Sequence, residues 1–202
     1  AVTGIETFKG RTFHTSRWDY SYTGGSADGG LTGLRDKRVA IIGTGATAIQ
    51  CIPHLGEWAK QLFVFQRTPS SVDVRNNAPT DPEWVKKLKP GWHKKRVENF
   101  NVMASGGYSD KDEVSDGWTD IFRNITNRKE MKPEVVLSKE ENDLLYELAD
   151  FEKMEEIRAR AAGIVKDPAA AEALKPYYRQ FCKRPTFHDE YLDTYNRPNV
   201  TL

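Results

Sequence analysis

The chain has 202 residues, enough for one substantial core or for one core with a helical appendage. Its residues are 38% hydrophobic and 29% charged, which suits a globular protein with a large polar surface. A formal net charge of +1 creates no overall field to attract nucleic acid or anionic lipid, and no apolar run approaches the length of a bilayer span.

Residues 1 to 20 are aromatic and basic, and the stretch begins without the charged-then-apolar layout of a secretory signal. Tyr22 to Gly30 is glycine-rich and reads as a linker or surface loop. Lys37 to Gly43 follows, with the continuous apolar, β-branched run of a strand buried on both faces. A glycine turn then opens a helix from about Ala46 to Ala59, marked by Ile49, Ile52 and Leu55, with Pro53 as a possible kink. Gln61 to Phe65 reads as a second strand, closed by Arg67-Thr68-Pro69. Strand, glycine turn, helix and strand make a βαβ unit, whose crossover is expected to be right-handed.

From about residue 75 to 135 the periodicity weakens, and Pro79, Pro82 and Pro90 punctuate it. Trp84, Trp92 and Trp118 read as scattered anchors of a mostly helical, irregular layer. A clear helix starts at Ser138, which has capping-box spacing to Glu141. Leu144, Leu145, Leu148, Phe151, Met154, Ile157 and Ala161 predict its buried face, and Gly163 its stop. Asp167-Pro168 starts another helix, which Pro176 ends. The final residues, Pro198 to Leu202, look like a strand just beginning, which points to an incomplete domain.

The spacing Gly43-x-Gly45-x-x-Ala48 suits a dinucleotide site. Gly43 permits the tight turn, Gly45 lets a pyrophosphate approach the backbone, and Ala48 allows close helix packing. Thr44, Ala46 and Thr47 complete the turn, whose free amides and helix dipole favour phosphate. The alternative is a purely structural glycine turn. An acidic residue normally ends the second strand where the ribose is not phosphorylated; here stand Gln66, Arg67 and Thr68. Arg67 and Thr68 can bind a 2′-phosphate that a carboxylate would repel, which predicts NADP(H) over NAD(H). Otherwise Arg67 is a solvated strand-end charge.

Phe8-x-Gly10-x-x-x-His14-x-x-x-Trp18-Asp19 is identified at this point with the fingerprint of Baeyer–Villiger monooxygenases, class B flavoprotein monooxygenases. Without the resemblance it is an aromatic linker whose His14 and Trp18 merely pack. The tail resembles the family as well, in Lys183-Arg184-Pro185, Phe187 to Tyr191 and Asn196 to Val200. The resemblance implies an α/β fold, a Rossmann-like NADP-binding domain with a mostly helical insertion. It divides the chain into an interdomain linker at 1–35, the first part of the NADP-binding domain at 36–75, the insertion at 76–180 and the return at 181–202. His14 becomes a hinge or relay position, Lys183 joins Arg67 at the 2′-phosphate, and Arg184 is the active-site arginine beside flavin and nicotinamide. A fixed guanidinium there stabilises negative charge. Read locally, Lys183 and Arg184 are ordinary surface charges.

The resemblance also implies FAD in a full-length parent, held by a preceding domain with its own glycine motif. The chain on this reading is an internal fragment. The parent's substrates are a ketone and O2, and its product is an ester or lactone. The fragment binds NADP(H) without catalysis; the alternative is a non-catalytic nucleotide-binding or docking module derived from the fold.

Other chemistries have weaker support. The four histidines, His14, His54, His93 and His188, have no metal-ligand spacing. Cys51 and Cys182 are too few for a disulfide framework, which points to a reducing, cytoplasmic location with no membrane partner. The sequons at Asn124 and Asn199 carry no meaning there. Cys51 reads as a core residue, and Cys182 lacks a base. The basic run Lys86 to Arg96 reads as a solvated helix face rather than a nucleic-acid contact.

Overall fold

A computed structural model describes residues 3–105, 107, 109–120, 122–124 and 137–202. Part of the predicted insertion, and the last two positions of the Asn124 sequon, lie outside the described residues.

The βαβ unit forms as its apolar pattern dictates. Strand β1 (Arg38–Ile42) feeds helix α2 (Ala46–Trp58), which returns to β2 (Gln61–Phe65); a short helix α1 (Tyr20–Thr23) precedes them. β1 and β2 pair in parallel from Arg38 opposite Gln61 to Ile42 opposite Phe65. The tail does form a strand, β5 (Val200–Thr201), parallel to the other edge of β2 at Leu62 and Phe63. The sheet order is therefore β1-β2-β5. α2 covers one face with Ile49, Ile52 and Leu55, each at most 4% exposed. Each such aliphatic side chain contributes about 1.5–3 kcal/mol by leaving water.

The reading of β1 as buried on both faces is corrected. Ile41 is buried, but Ala40 is exposed and Ile42 is 66% exposed. Among the described residues, β1 has a strand neighbour on one edge only, and Ile42 and its partner Phe65 lie open. Pro53 does not break α2, which runs unbroken to Trp58. Gly56, in its last turn, allows close approach, since a Cβ there would lie 2.8 Å from Thr194 Cγ2 and 3.2 Å from Val200 Cγ2.

Asn199 locks β5 to the end of α2. Its Nδ2 donates to the carbonyls of Gly56 and Ala59 at 3.0 and 2.9 Å, satisfying otherwise orphan helix-end acceptors. That amide is thereby occupied, a physical reason why the sequon is not a free surface site. Asn199→Ala is expected to cost about 1–2 kcal/mol, read as a lower urea midpoint with an unchanged slope.

The aromatic N-terminal segment docks on the same core. Trp18 packs against it, stacks edge-on with Phe13 at 5.5 Å and donates its indole N–H to Thr23 Oγ1 at 3.0 Å. Leu31 and Leu34 are 2% and 3% exposed, so the glycine-rich loop between them and α1 is held at both ends.

Two further strands, absent from the sequence reading, form a gateway. β3 (Val72–Asp73) and β4 (Thr186–Phe187) pair in parallel. Between them the chain makes α3 (Pro82–Lys86), α4 (Trp92–Ala104), α5 (Lys139–Ile164) and α6 (Pro168–Ala173). The short helix α7 (Tyr191–Thr194) follows β4 and packs on α2. Asp189 holds the exit from β3 by accepting the amides of Arg75, Asn76 and Asn77. Arg160 of α5 donates to the carbonyls of Val72 and His188, each at 3.1 Å. The gateway is thus closed by Asp189 just after β4 and by Arg160 from one of the helices it leads to.

α5 has the complete capping box at Ser138 and Glu141. Its predicted face holds only in the C-terminal half. Met154, Ile157 and Ala161 are buried, whereas Leu144, Leu148 and Phe151 are 55%, 42% and 58% exposed. Lys153 and Arg158 are buried instead. Arg158 donates to the Pro176 carbonyl at 2.9 Å and pairs with Glu155. Gly163 lies inside the helix, which ends at Ile164 before the Asp167 cap of α6. In the basic run, Lys86, Lys94 and Lys95 pair with Glu83, Glu98 and Glu113. Trp84 and Trp92 meet edge-on at 5.7 Å.

Candidate functional site

A cleft of about 580 Å³ opens at the C-terminal ends of β1 and β2. Gly43, Thr44, Gly45 and Ala46 form its floor. Gly43 has φ +102°, a conformation that side-chain-bearing residues rarely adopt, so glycine makes the turn. Gly45 is the N-cap of α2 and supplies no side-chain cap, so the first-turn amides stay open to a ligand. A Cβ on Gly45 would meet no atom within 4 Å, so only a side chain there would fill the space above those amides.

The walls are cationic. Arg67, Lys183 and Arg184 all line the cleft, together with Thr68, Ser70 and Thr186, and none of the lining residues is acidic. Among the described residues none of the three cations has a salt-bridge partner. Three cations without a carboxylate partner beside a helix N-terminus suit an anion through both dipole and charge.

The neutral residue at the end of β2 is turned away from the ligand space. Gln66 Nε2 donates to the Ala173 carbonyl at 2.8 Å, and its Oε1 accepts the Thr44 hydroxyl at 3.2 Å. Ser70 donates to the Thr44 carbonyl at 2.5 Å, which ties the loop carrying Arg67 and Thr68 to the glycine turn.

The cleft therefore gathers Gly43, Thr44, Gly45, Ala46, Arg67, Thr68, Lys183 and Arg184. Thr47 lies on the other side of α2's first turn, in a cavity of about 640 Å³ that Trp18, Leu31, Gln50, His54 and His188 also line. Ala48 is 9% exposed and packs in the core. His14 lines neither cavity. Its Nδ1 is within 2.7 Å of Ser16 Oγ and accepts the Ser16 amide, capping a short 3-10 turn. His188 Nδ1 accepts the amides of Glu190 and Tyr191, and burial lowers its pKa.

Sequence reasoning missed Ser70, Thr186 and the exposed Phe65 as cleft residues. Thr186 had no signal, because it enters through the two-residue pairing of β3 with β4. Burial raises the pKa of the Cys51 thiol, and neither Cys51 nor Cys182 is in a disulfide. Among the described residues no cluster of His, Cys, Asp or Glu could hold a metal, and no helix is long and apolar enough to cross a membrane.

Known proteins resemble the chain in sequence and in fold. The chain is 57% identical over 201 residues to Baeyer-Villiger monooxygenase ATR8 of Stachybotrys chlorohalonatus, covering 100% of the chain and 32% of that protein. It superposes on a polycyclic ketone monooxygenase from the fungus Thermothelomyces thermophila with a TM-score of 0.82 at 44% identity, covering 98% of the chain and 33% of that protein. The chain belongs to the Baeyer–Villiger monooxygenases.

A structure of the monooxygenase OTEMO in complex with FAD and NADP also matches, at 30% identity and a TM-score of 0.64, over 100% of the chain and 38% of that protein. No protein-family model matches the chain. The chain thus spans about a third of the length of the Baeyer–Villiger monooxygenases that it matches.

Proposed function

We propose that this chain is the NADP(H)-holding portion of a Baeyer–Villiger monooxygenase. The observation that carries the reading is the charge of the cleft. Arg67, Lys183 and Arg184 surround an open helix N-terminus, and no carboxylate lines it. An enzyme selecting the non-phosphorylated nucleotide would need an acid at the end of β2, and Gln66 stands there with its side chain tied to Ala173 and Thr44.

In this reading the first-turn amides of α2 take the pyrophosphate. Arg67, Thr68 and Lys183 take the 2′-phosphate, and Arg184 stabilises negative charge beside the flavin and nicotinamide. His14 serves the linker as a hinge or relay rather than as a proton-transfer base. Residues 1–35 link two domains, 36–75 and 181–202 form the nucleotide-binding layer, and 76–180 are its insertion. The pairing of β3 with β4, which brings entry and exit side by side, supports that division.

The nicotinamide supplies hydride and FAD supplies the oxygen chemistry when both are bound. The whole enzyme uses O2 to insert one oxygen atom beside a ketone carbonyl, giving an ester or lactone. The chain alone binds NADP(H) without turnover. Two free thiols fit a reducing, cytoplasmic location.

Fluorescence titration with NADPH and NADH tests the reading. The wild-type chain is expected to prefer NADPH. Arg67→Ala is expected to weaken NADPH binding about ten- to hundredfold through lost charge-assisted bonds, leaving NADH little changed. Equal wild-type affinity for the two nucleotides would refute it.

A further inference from the structure

We propose that Tyr178 is a specificity-positioning residue, holding Lys183 and the Arg67–Thr68 loop at one spacing so that together they read a 2′-phosphate. The inference rests on the NADP(H) reading above and deepens it.

Tyr178 lies outside the cleft lining, yet it touches Lys183 and the backbone of the loop that carries Arg67. On one side, the Lys183 ammonium sits over the Tyr178 ring, 4.9 Å from its centroid. A cation at that distance is attracted by the ring's negative face. This matters because Lys183 has no salt-bridge partner among the described residues, and a long, exposed lysine otherwise samples many rotamers.

On the other side, the Tyr178 hydroxyl donates to the Pro69 carbonyl at 2.9 Å and accepts the Ser71 amide at 2.9 Å. Pro69 and Ser71 flank the loop residue Ser70, which bonds the glycine turn through the Thr44 carbonyl. The Thr68 carbonyl, on the same loop, lies 3.4 Å from the Thr44 hydroxyl. One side chain therefore fastens the loop that carries Arg67 and Thr68 and seats the cation facing them. Burial raises the pKa of the Tyr178 phenol, so its proton stays in place to donate.

The consequence is a selective one. Seating Lys183 lowers the ordering cost of a contact made to the 2′-phosphate and to no other part of the nucleotide. Tyr178 therefore acts on discrimination rather than on binding in general.

The test uses 2′,5′-ADP and 5′-AMP as probes, which differ only in the 2′-phosphate. Dissociation constants are measured by calorimetry for the wild-type chain and for Tyr178→Leu, Tyr178→Phe, Lys183→Met and Tyr178→Leu with Lys183→Met. Melting curves check that each variant folds. Tyr178→Leu is expected to weaken 2′,5′-ADP about tenfold and leave 5′-AMP unchanged. Tyr178→Phe keeps the ring and loses the hydroxyl, so it is expected to lose about threefold. The double variant is expected to lose less than the product of the two single effects, at most about threefold beyond Lys183→Met alone, because the cation–ring contact is lost only once while the loop bond is still removed.

The proposal is overturned if Tyr178→Leu weakens both probes equally, as a merely structural residue would. It is also overturned if the two single variants add fully in the double one. If the wild-type chain itself binds both probes equally, the underlying NADP(H) reading fails, and that failure appears before any variant is made.

Discussion

Gly45→Val is expected to remove nucleotide binding while leaving the fold intact. Gly45 has φ −78° and ψ −179°, extended backbone that any residue adopts, so valine meets no conformational barrier. Its Cβ would meet no atom within 4 Å, so no protein group is displaced. The branched side chain instead fills the space above the first amides of α2, where a pyrophosphate must sit. NADP+ and NAD+ are both expected to weaken on the order of a hundredfold or more, because charge-assisted bonds to the phosphates are lost for either nucleotide. Valine is a poorer N-cap than glycine, so stability falls by about 1 kcal/mol or less. Calorimetry and thermal melting separate the two effects. Retained binding would show that the phosphates do not lie on α2. The loss of both nucleotides also distinguishes this variant from Arg67→Ala, which acts on NADP(H) alone.

The second large effect is expected far from the cleft. The Lys153 ammonium of α5 sits 2.6 Å from Asp73 at the end of β3 and 2.7 Å from Asp120. Its side chain is 8% exposed, and Glu156 completes the cluster at 3.4 Å. Arg123 holds Asp120 and Asp112 from the other side. Lys153→Met keeps the volume of the side chain but removes the cation between Asp73 and Asp120, leaving only Arg123 to offset Asp120. Breaking a buried cluster in this way costs about 3–5 kcal/mol, read as a large drop in the urea midpoint.

The pH dependence of that cost has a definite sign. Burial pushes the Asp120 carboxyl up, but the hydrogen bond and charge of Lys153, with Arg123 behind them, more than offset it and hold the group below its usual value. A carboxylate with a depressed folded pKa contributes stability above its unfolded pKa and loses it as pH falls through the folded value. The difference between wild type and Lys153→Met is therefore greatest at neutral pH. It narrows as the pH falls below about 4, where carboxylates protonate in the unfolded chain. A difference independent of pH would mean that Lys153 acts by packing alone.

These two residues also show which parts of the molecule were legible in the sequence. Gly45 was legible because its requirement is local: an apolar strand before it, a helix after it, and a spacing that leaves backbone amides open. The same locality made β1, α2 and β2 readable, and the β-branched tail made β5 readable. Lys153 was not legible. A lysine on a charged helix reads as solvated, and only the arrival of Asp73 and Asp120 from elsewhere in the chain buries it. Leu144, Leu148 and Phe151 mislead for the complementary reason, since periodicity announces an apolar stripe but not whether anything covers it.

The cleft divides along the same line. Arg67 and Thr68 follow from the end of β2, a position defined by the βαβ unit itself. Lys183 and Arg184 could be proposed only through the tail's resemblance to the family, because nothing in their local sequence says that the chain returns beside the glycine turn. The pairing of Thr186 with Val72 brings them back. Two-residue strands carry no periodic signal, so β3, β4 and the gateway they form were invisible. Tyr178 was invisible for the same reason, since its partners Pro69 and Ser71 are near in space and distant in sequence.

The cleft is proposed to hold NADP(H), with the pyrophosphate on α2 and the 2′-phosphate between the cationic walls. The most direct measurement is a crystal structure of the chain saturated with NADP+. The predicted result is density for the pyrophosphate at the Gly45–Ala46 turn and for the 2′-phosphate within hydrogen-bond reach of Arg67 and Lys183. Nucleotide seated only in the cavity across α2, or none bound at saturating concentration, would contradict it.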